Sequence, residues 1–407
     1  MEPRKNGIKD ETKILIMLAF FSISMGLWNN FRQLWLQSNN MNVSEISSLL
    51  SMGTFISAIL IFISAKRLKL DKIKGFITGC LLLNSINMFI LFLINGSSNL
   101  NLTKVCVILN IVLEKFVIIS IYPLITTIQK TDNTYSKRKL VEYLFRDVGI
   151  LVGGIFIGRT IFNLNVDYNI CLSISVLFML IATLVIANSE IKTSNKKSEI
   201  SFKFILKDKI LITYLITYFI GTTAMRTGLG LKMLMLTNQL SFSPSGATNY
   251  SLIIGLLADL VGILALKYLT PKNDYVTITI KFGIRLALYT LAFLSNSITL
   301  IMIAITWSLL ISTAYENKTD GIYINRVDTK YQLFFSDMRF VIGIFAEALG
   351  LLFAGILFEY GIRYILGLSA LFVLPQLSLS YLMIHMRHKE DKVKEVISKE
   401  TLIQEKV

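Results

Sequence analysis

Residues 43–65 read VSEISSLLSMGTFISAILIFISA, a run of 23 residues in which Glu45 is the one charged side chain. An α-helix of this length rises about 34 Å, which is enough to cross the roughly 30 Å hydrocarbon core of a bilayer. Similar apolar runs recur along the 407 residues, of which 54% are hydrophobic and 16% charged. The chain is therefore expected to be an all-α protein that crosses a membrane many times.

The apolar runs, bounded by Asn, Lys, Pro and Gly clusters, predict twelve transmembrane helices. These spans lie near 14–36, 43–65, 75–95, 103–128, 140–163, 168–189, 210–237, 244–269, 275–294, 297–317, 331–358 and 362–386. The longest polar connection, EIKTSNKKSEISFKFILKDK, separates two groups of six spans. The predicted units are an N-terminal segment 1–13, a first six-helix bundle 14–189, a linker 190–209, a second six-helix bundle 210–386 and a polar tail 387–407.

The distribution of positive charge predicts the orientation. Thirty of the 41 Lys and Arg residues lie in the two tails and in every second connection, whereas the intervening connections hold Lys104 and Arg363. Because cytoplasmic loops carry an excess of Lys and Arg, both termini are expected in the cytoplasm. The Ile-, Lys- and Asn-rich composition suggests a bacterial genome rich in A and T, so the inner (cytoplasmic) membrane is the expected location.

Several kinds of chemistry are not supported by the sequence. The three cysteines, Cys80, Cys106 and Cys171, lie inside apolar runs and lack the spacing of disulfides or metal ligands. The two histidines, His385 and His388, stand at the end of the last span, and the chain contains no phosphate-binding GxxxxGK[ST] motif. No cofactor, metal site or enzymatic activity is therefore expected, and the net charge of +15 is attributed to topology rather than to nucleic-acid binding.

Short sequence echoes connect the two groups of spans. QKTDNTY (129–135) resembles NKTDGIY (317–323) at a shift of 188, and FRDVGILVG (145–153) resembles FSDMRFVIG (335–343) at a shift of 190. A third echo pairs FRQLWL (31–36) with LKMLML (231–236) at a shift of 200. Units of six helices contain an even number of crossings, so the two halves must have the same orientation in the membrane.

Twelve spans, cytoplasmic termini, a long central loop and two parallel six-helix halves resemble the major facilitator superfamily over the whole chain. The resemblance implies alternating-access transport, with spans one, four, seven and ten lining a central cavity. In the loop after span two, Asp71 keeps the acid and its basic neighbours of that superfamily's GxxxDRxGRR pattern, whereas both glycines of the pattern are missing.

Polar residues on the four cavity spans are the candidate substrate-binding residues under this resemblance. They are Asn29, Arg32, Asn110, Glu114, Arg226, Lys232 and Trp307. Three cations around one cavity would attract an anionic or zwitterionic solute. The alternative is that these cations pair internally with Glu114, Asp259 or Glu347, which are also the candidates for a proton-carrying carboxylate. Lys281 and Arg285 in span nine are expected to extend toward the cytoplasm.

Charged residues near the predicted cytoplasmic ends of spans five and eleven are candidates for a gate. By the resemblance, these residues clamp the loop after span two or span eight when the cavity closes inward. The gate candidates are Asp71, Arg146, Asp147, Asp337 and Arg339.

The expected function is secondary active transport of a small solute, with H+ as the coupling ion. The expected partners are that solute and the surrounding lipid, and a monomer is expected. An exporter of amphipathic drugs or lipid-linked compounds is an alternative, because the many Phe and Met residues would suit such a ligand. A transport-dead membrane sensor is an alternative of another class.

Overall fold

The computed structural model describes residues 5–65, 72–94, 99–128, 145–152, 168–189, 202–267, 274–295, 297–310, 327 and 329–404. All regular structure in these ranges is helical. The helices are α1 (Lys5–Asn29), α2 (Arg32–Ser38), α3 (Val43–Ala65), α4 (Ile73–Leu93), α5 (Leu100–Ile128), α6 (145–152), α7 (Tyr168–Ala187), α8 (Phe202–Lys207), α9 (Lys209–Leu229), α10 (Lys232–Leu234), α11 (Pro244–Lys267), α12 (Asp274–Ile278), α13 (Ile284–Ser295), α14 (Ile298–Leu310), α15 (Thr329–Phe358) and α16 (Ile362–Gln404). Single π-helical turns extend α10 over Met235–Gln239 and join α12 to α13 over Thr279–Gly283.

Each of the twelve predicted spans contains helix within the described ranges. Among the described residues, seven helical segments are long and apolar enough to cross a membrane by length and composition. They are Thr12–Ser38, Val43–Ser64, Ile73–Leu93, Tyr168–Ala187, Asp274–Ser295, Phe334–Phe358 and Ile362–Glu390. The last of these belongs to α16, which continues through the polar tail to Gln404. The chain is thus a multi-pass helical membrane protein.

Both halves contain the same break in their first helix. In the first half, α1 ends at Asn29 and α2 begins at Arg32. In the second half, α9 ends at Leu229 and α10 begins at Lys232. The two breaks are 200 residues apart, so the short echo between FRQLWL and LKMLML reflects a real structural equivalence.

Close helix contacts extend this equivalence to spans five and eleven. A Cβ atom added to Gly149 would lie 2.3 Å from the carbonyl oxygen of Ile23, on the first span. A Cβ atom added to Gly350 would lie 2.8 Å from the carbonyl oxygen of Thr223, on the seventh span. A shift of 200 converts Ile23 into Thr223, and a shift of 201 converts Gly149 into Gly350.

The contacts therefore set a different register from the echo at 190 in spans five and eleven. At a shift of 201, Arg146 corresponds to Glu347 rather than to Ser336. A short match between two apolar helices contains too little information to fix a register, whereas glycines at a close helix crossing do. The remaining echo, at 188, lies outside the described residues.

Three uncharged hydrogen bonds join the halves near the end where α2 leads into α3. The Gln33 amide donates to the carbonyl oxygen of Gly230 at 2.8 Å, which connects the two broken helices. The hydroxyl groups of Ser47 and Ser51 on α3 donate to backbone carbonyl oxygens of α15, at 2.6 and 2.8 Å. The two halves are therefore in direct contact at this end, which we call the far end.

Candidate functional site

A network of amide side chains holds the residue that follows the break in the first span. The Asn110 carbonyl oxygen accepts hydrogen bonds from Trp28 Nε1 at 2.8 Å and from Arg32 Nη1 at 3.1 Å. The Asn110 amide nitrogen donates in turn to Asn84 Oδ1 at 2.9 Å. Because Asn84 and Asn110 are fully buried, these bonds fix the position of the Arg32 guanidinium.

The Arg32 guanidinium also lies beside an acidic residue of α5. Arg32 Nη1 is 3.6 Å from Glu114 Oε2, and the Glu114 side chain is 4% exposed. Asn29 and Asn110 also approach the Glu114 carboxylate. Four predicted substrate-binding residues, Asn29, Arg32, Asn110 and Glu114, therefore lie together on the first half.

A second group of charges connects the first half to the second. Lys115 Nζ on α5 is 2.7 Å from Glu347 Oε2 on α15. The other oxygen of Glu347 is 3.4 Å from Arg226 Nη2 on α9. One carboxylate therefore bridges a cation of each half.

These charges form one cluster, which we call the central charge cluster and which comprises Arg32, Glu114, Lys115, Arg226 and Glu347. Arg32 is close enough to Glu347 for an electrostatic interaction, so the two groups of ion pairs are connected. Three cations and two carboxylates give the cluster a formal charge of +1. Burial of a charge is costly unless an opposite charge compensates it, so the internal ion pairs offset most of this cost.

Lys232 lies outside the central charge cluster, although it corresponds to Arg32. It interacts electrostatically with Arg146 and Asp147 of α6. No carboxylate oxygen of the described residues lies within 4 Å of its ammonium group. Trp307 is half-buried on α14, and its indole N–H has no hydrogen-bond partner in the part of the chain that the structure describes.

The positions of Arg146 and Asp147 differ from the expected cytoplasmic end of span five. A Cβ atom added to Gly26 would lie 2.1 Å from the Arg146 carbonyl oxygen, and Gly26 is near the middle of the Thr12–Ser38 span. A Cβ atom added to Gly255 would lie 2.9 Å from Asp147 Oδ2, near the middle of α11. Lys267, at the end of α11, is twelve residues or about 18 Å further along the helix, too far for Asp147 to clamp the loop that follows.

The other gate candidates are placed only in part. The Arg339 guanidinium lies 4.4 Å from the ring centroid of Tyr218, and Asp337 lies two residues earlier on α15. Asp71 is outside the described residues, and so is the side chain of Asp259. The contact of Arg339 or Asp337 with the Asp71 loop therefore stays a prediction.

Sequence reasoning missed several residues around this site. Lys115 faces away from Glu114 by helical periodicity, and that direction is where the second half and Glu347 lie. Lys281 and Arg285 do not extend to the surface as expected, since they are 7% and 3% exposed inside the second half. Arg285 instead donates a long hydrogen bond, 3.5 Å, to the carbonyl oxygen of Ser308.

No protein-family model matches the chain, and no curated protein is significantly similar to it. The fold is nevertheless similar to solved structures of transporters. The human organic anion transporter MFSD10 (TETRAN) gives a TM-score of 0.68 at 12% identity, covering 93% of this chain and 100% of that chain.

Two further solved structures cover nearly the whole of both chains. The E. coli fucose:proton symporter FucP gives a TM-score of 0.65 at 14% identity, with 93% of this chain and 99% of that chain covered. The nucleoside transporter NupG gives 0.67 at 10% identity, with 92% and 99% covered. Similarity at such low identity concerns the fold. The chain therefore has the fold of the major facilitator superfamily, as its two parallel six-helix halves predict.

Proposed function

We propose that the chain is a secondary transporter that moves a small anionic or zwitterionic solute by alternating access, coupled to H+. The observation that carries the proposal is the central charge cluster, in which one carboxylate of the second half is shared by Lys115 of the first half and Arg226 of the second. The fold supports a transporter, and the cluster supports the solute class and the coupling.

The charge balance of the cluster favours an anion. An ionisable residue inside a membrane helix is costly, and such residues commonly mark a transport pathway. The formal charge of +1 would be compensated by one negative group on a solute. Three polar atoms near Arg32 have no hydrogen-bond partner among the described residues: Asn29 Oδ1, Arg32 Nε and Glu114 Oε1. A solute with hydrogen-bond donors and acceptors would satisfy them.

The same residues suggest how transport is coupled to the conformational change. The Lys115–Glu347 ion pair joins the two halves, so it must rearrange when the halves move relative to each other. An anionic solute can take the place of Glu347 beside Lys115, which lowers the cost of separating that pair. Protonation of Glu114 would remove the carboxylate beside Arg32, which links proton uptake to the charge available for the solute.

The topology and assembly also belong to the proposal. Both termini are placed in the cytoplasm of a bacterial cell, the linker 190–209 and the tail 387–407 on the same side, and the protein acts as a monomer. Asp337 and Arg339 stay gate candidates for that side.

The test is uptake into proteoliposomes of labelled organic anions, amino acids, sugars, nucleosides and cationic drugs, with and without an imposed pH gradient. We expect uptake of an anion or zwitterion that the gradient stimulates. Arg32→Gln should lose this uptake, because it removes the cation held by Asn110 and Glu114. Lys104→Gln is the matched control, since it removes a cation from a half-exposed pair with Glu45 outside the cluster.

Uptake of cationic drugs that is equal in wild type and Arg32→Gln would replace the proposal with the drug exporter. Absence of uptake and exchange for every compound class, in protein that is folded and correctly inserted, would favour the transport-dead sensor.

A further inference from the structure

The internal repeat relates two places on opposite sides of the bundle centre. The first residue after the helix break is Arg32 in one half and Lys232 in the other. Arg32 interacts electrostatically with Glu347 of span eleven, and Lys232 interacts electrostatically with Arg146 of span five. Because Glu347 and Arg146 correspond at a shift of 201, the two places have the same architecture and opposite charge at one position.

This exchange leaves Lys232 in an unusual environment. Each cation of the central charge cluster has a carboxylate oxygen within 4 Å: Arg32 has Glu114, whereas Lys115 and Arg226 share Glu347. In the part of the chain that the structure describes, Lys232 has no such partner. A second cation, rather than a carboxylate, occupies the equivalent of Glu347 on this side.

We propose that the anionic group of the transported solute binds between Lys232 and Arg146, where spans five, seven and eight meet, rather than at Arg32. This inference rests on the proposed function and assigns a different site to the anion. A carboxylate or a phosphate group is the chemistry that would bind there, because either can accept hydrogen bonds from both cations.

The one acidic residue described at this site is poorly placed to neutralise both cations. Asp147 Oδ1 is 3.7 Å from Arg146 Nε, and its side chain is 1% exposed. Gly255 of α11 has no side chain, so α11 packs directly over the Asp147 carboxylate. The Arg146 side chain is 42% exposed, so a solute can reach it while Asp147 stays covered.

The two sides then have different tasks. On the Lys232 side, two cations hold the negative group of the solute. On the Arg32 side, the carboxylates Glu114 and Glu347 already balance the cations, so this side responds to protonation and to movement of the halves. Loss of Lys232 should therefore weaken binding, whereas loss of Arg32 should affect transport more than binding.

The experiment measures thermal stabilisation of the purified protein in detergent by sodium succinate, glutamate and phosphate, against sodium chloride at equal ionic strength. Titration with the best anion gives its dissociation constant for each variant. We expect Lys232→Gln to raise that constant by about tenfold or more, since a hydrogen bond to a charged group is lost. Lys232→Arg should keep most of the affinity, and Lys104→Gln should bind like wild type.

Three outcomes would overturn the inference. If Arg32→Gln weakens binding at least as much as Lys232→Gln, the anion binds in the central charge cluster, and the proposed function still stands. If Lys232→Gln binds like wild type, the inference alone fails. If no anion stabilises the wild-type protein while a neutral or cationic compound does, the solute class of the proposed function fails as well. Should Lys232→Gln not fold, Arg146→Gln removes the other cation and has the same expected result.

Discussion

Replacement of Gly149 by Ala is a direct test of the close contact between spans one and five. The new methyl group would lie 2.3 Å from the carbonyl oxygen of Ile23 and 3.0 Å from the backbone nitrogen of Leu27. Non-bonded carbon contacts are comfortable at roughly 3.5 Å, so the two helices would have to separate by about 1 Å. The obstructing atoms belong to a helix backbone and cannot rotate away, so we expect a loss of about 3 kcal/mol in the free energy of unfolding.

Gly79→Ala in α4 is the matched control. No described atom lies within 4 Å of the methyl position there, and Ala is favoured over Gly in a helix by up to about 1 kcal/mol. The assay is thermal unfolding of both purified variants in the same detergent. Gly350→Ala, the equivalent of Gly149→Ala in the second half, should unfold at a lowered temperature too. Equal unfolding temperatures for Gly149→Ala and Gly79→Ala would refute the close crossing and the register derived from it.

Three other predictions concern the site. Lys115→Met and Glu347→Gln should each destabilise the protein, and the double variant should lose less than the sum, with a coupling free energy of at least about 0.5 kcal/mol in a thermal-unfolding cycle; additive losses would mean that the pair does not join the halves. Trp28→Phe removes one of the two hydrogen bonds that Asn110 Oδ1 accepts, so it should cost about 1 kcal/mol in the same assay. Glu114→Gln should abolish accumulation driven by a pH gradient in proteoliposomes but keep solute exchange, and accumulation that persists would exclude Glu114 as the proton-carrying residue.

The spans were predictable because hydropathy depends on composition alone. The predicted span 43–65 coincides with α3, and 168–189 ends two residues beyond α7. The break between Asn29 and Arg32 was not predicted. A hydropathy average cannot distinguish a continuous polar segment of helix from an interrupted one, since both reduce the mean by the same amount.

The membrane depth of charged residues was harder to predict. Arg146 and Asp147 were expected at a helix end, because charge in an apolar run usually marks its boundary. In the structure they lie opposite Gly26 and Gly255, near the middle of two other helices. Only neighbouring helices reveal whether a charge lies at a boundary or at a buried contact. For the same reason, the partner of Lys115, which is 232 residues away, could not be found from spacing along one helix.

The three hydrogen bonds at the far end share one direction. Gln33, Ser47 and Ser51 of the first half are the donors, and backbone carbonyl oxygens of the second half are the acceptors. A substitution in the second half cannot delete a backbone acceptor, so natural variation can adjust the strength of this seam from one half only. Because these bonds join neutral groups, the seam itself should be indifferent to salt and acidity, and any such sensitivity of the resting conformation must arise from the charges deeper in the bundle.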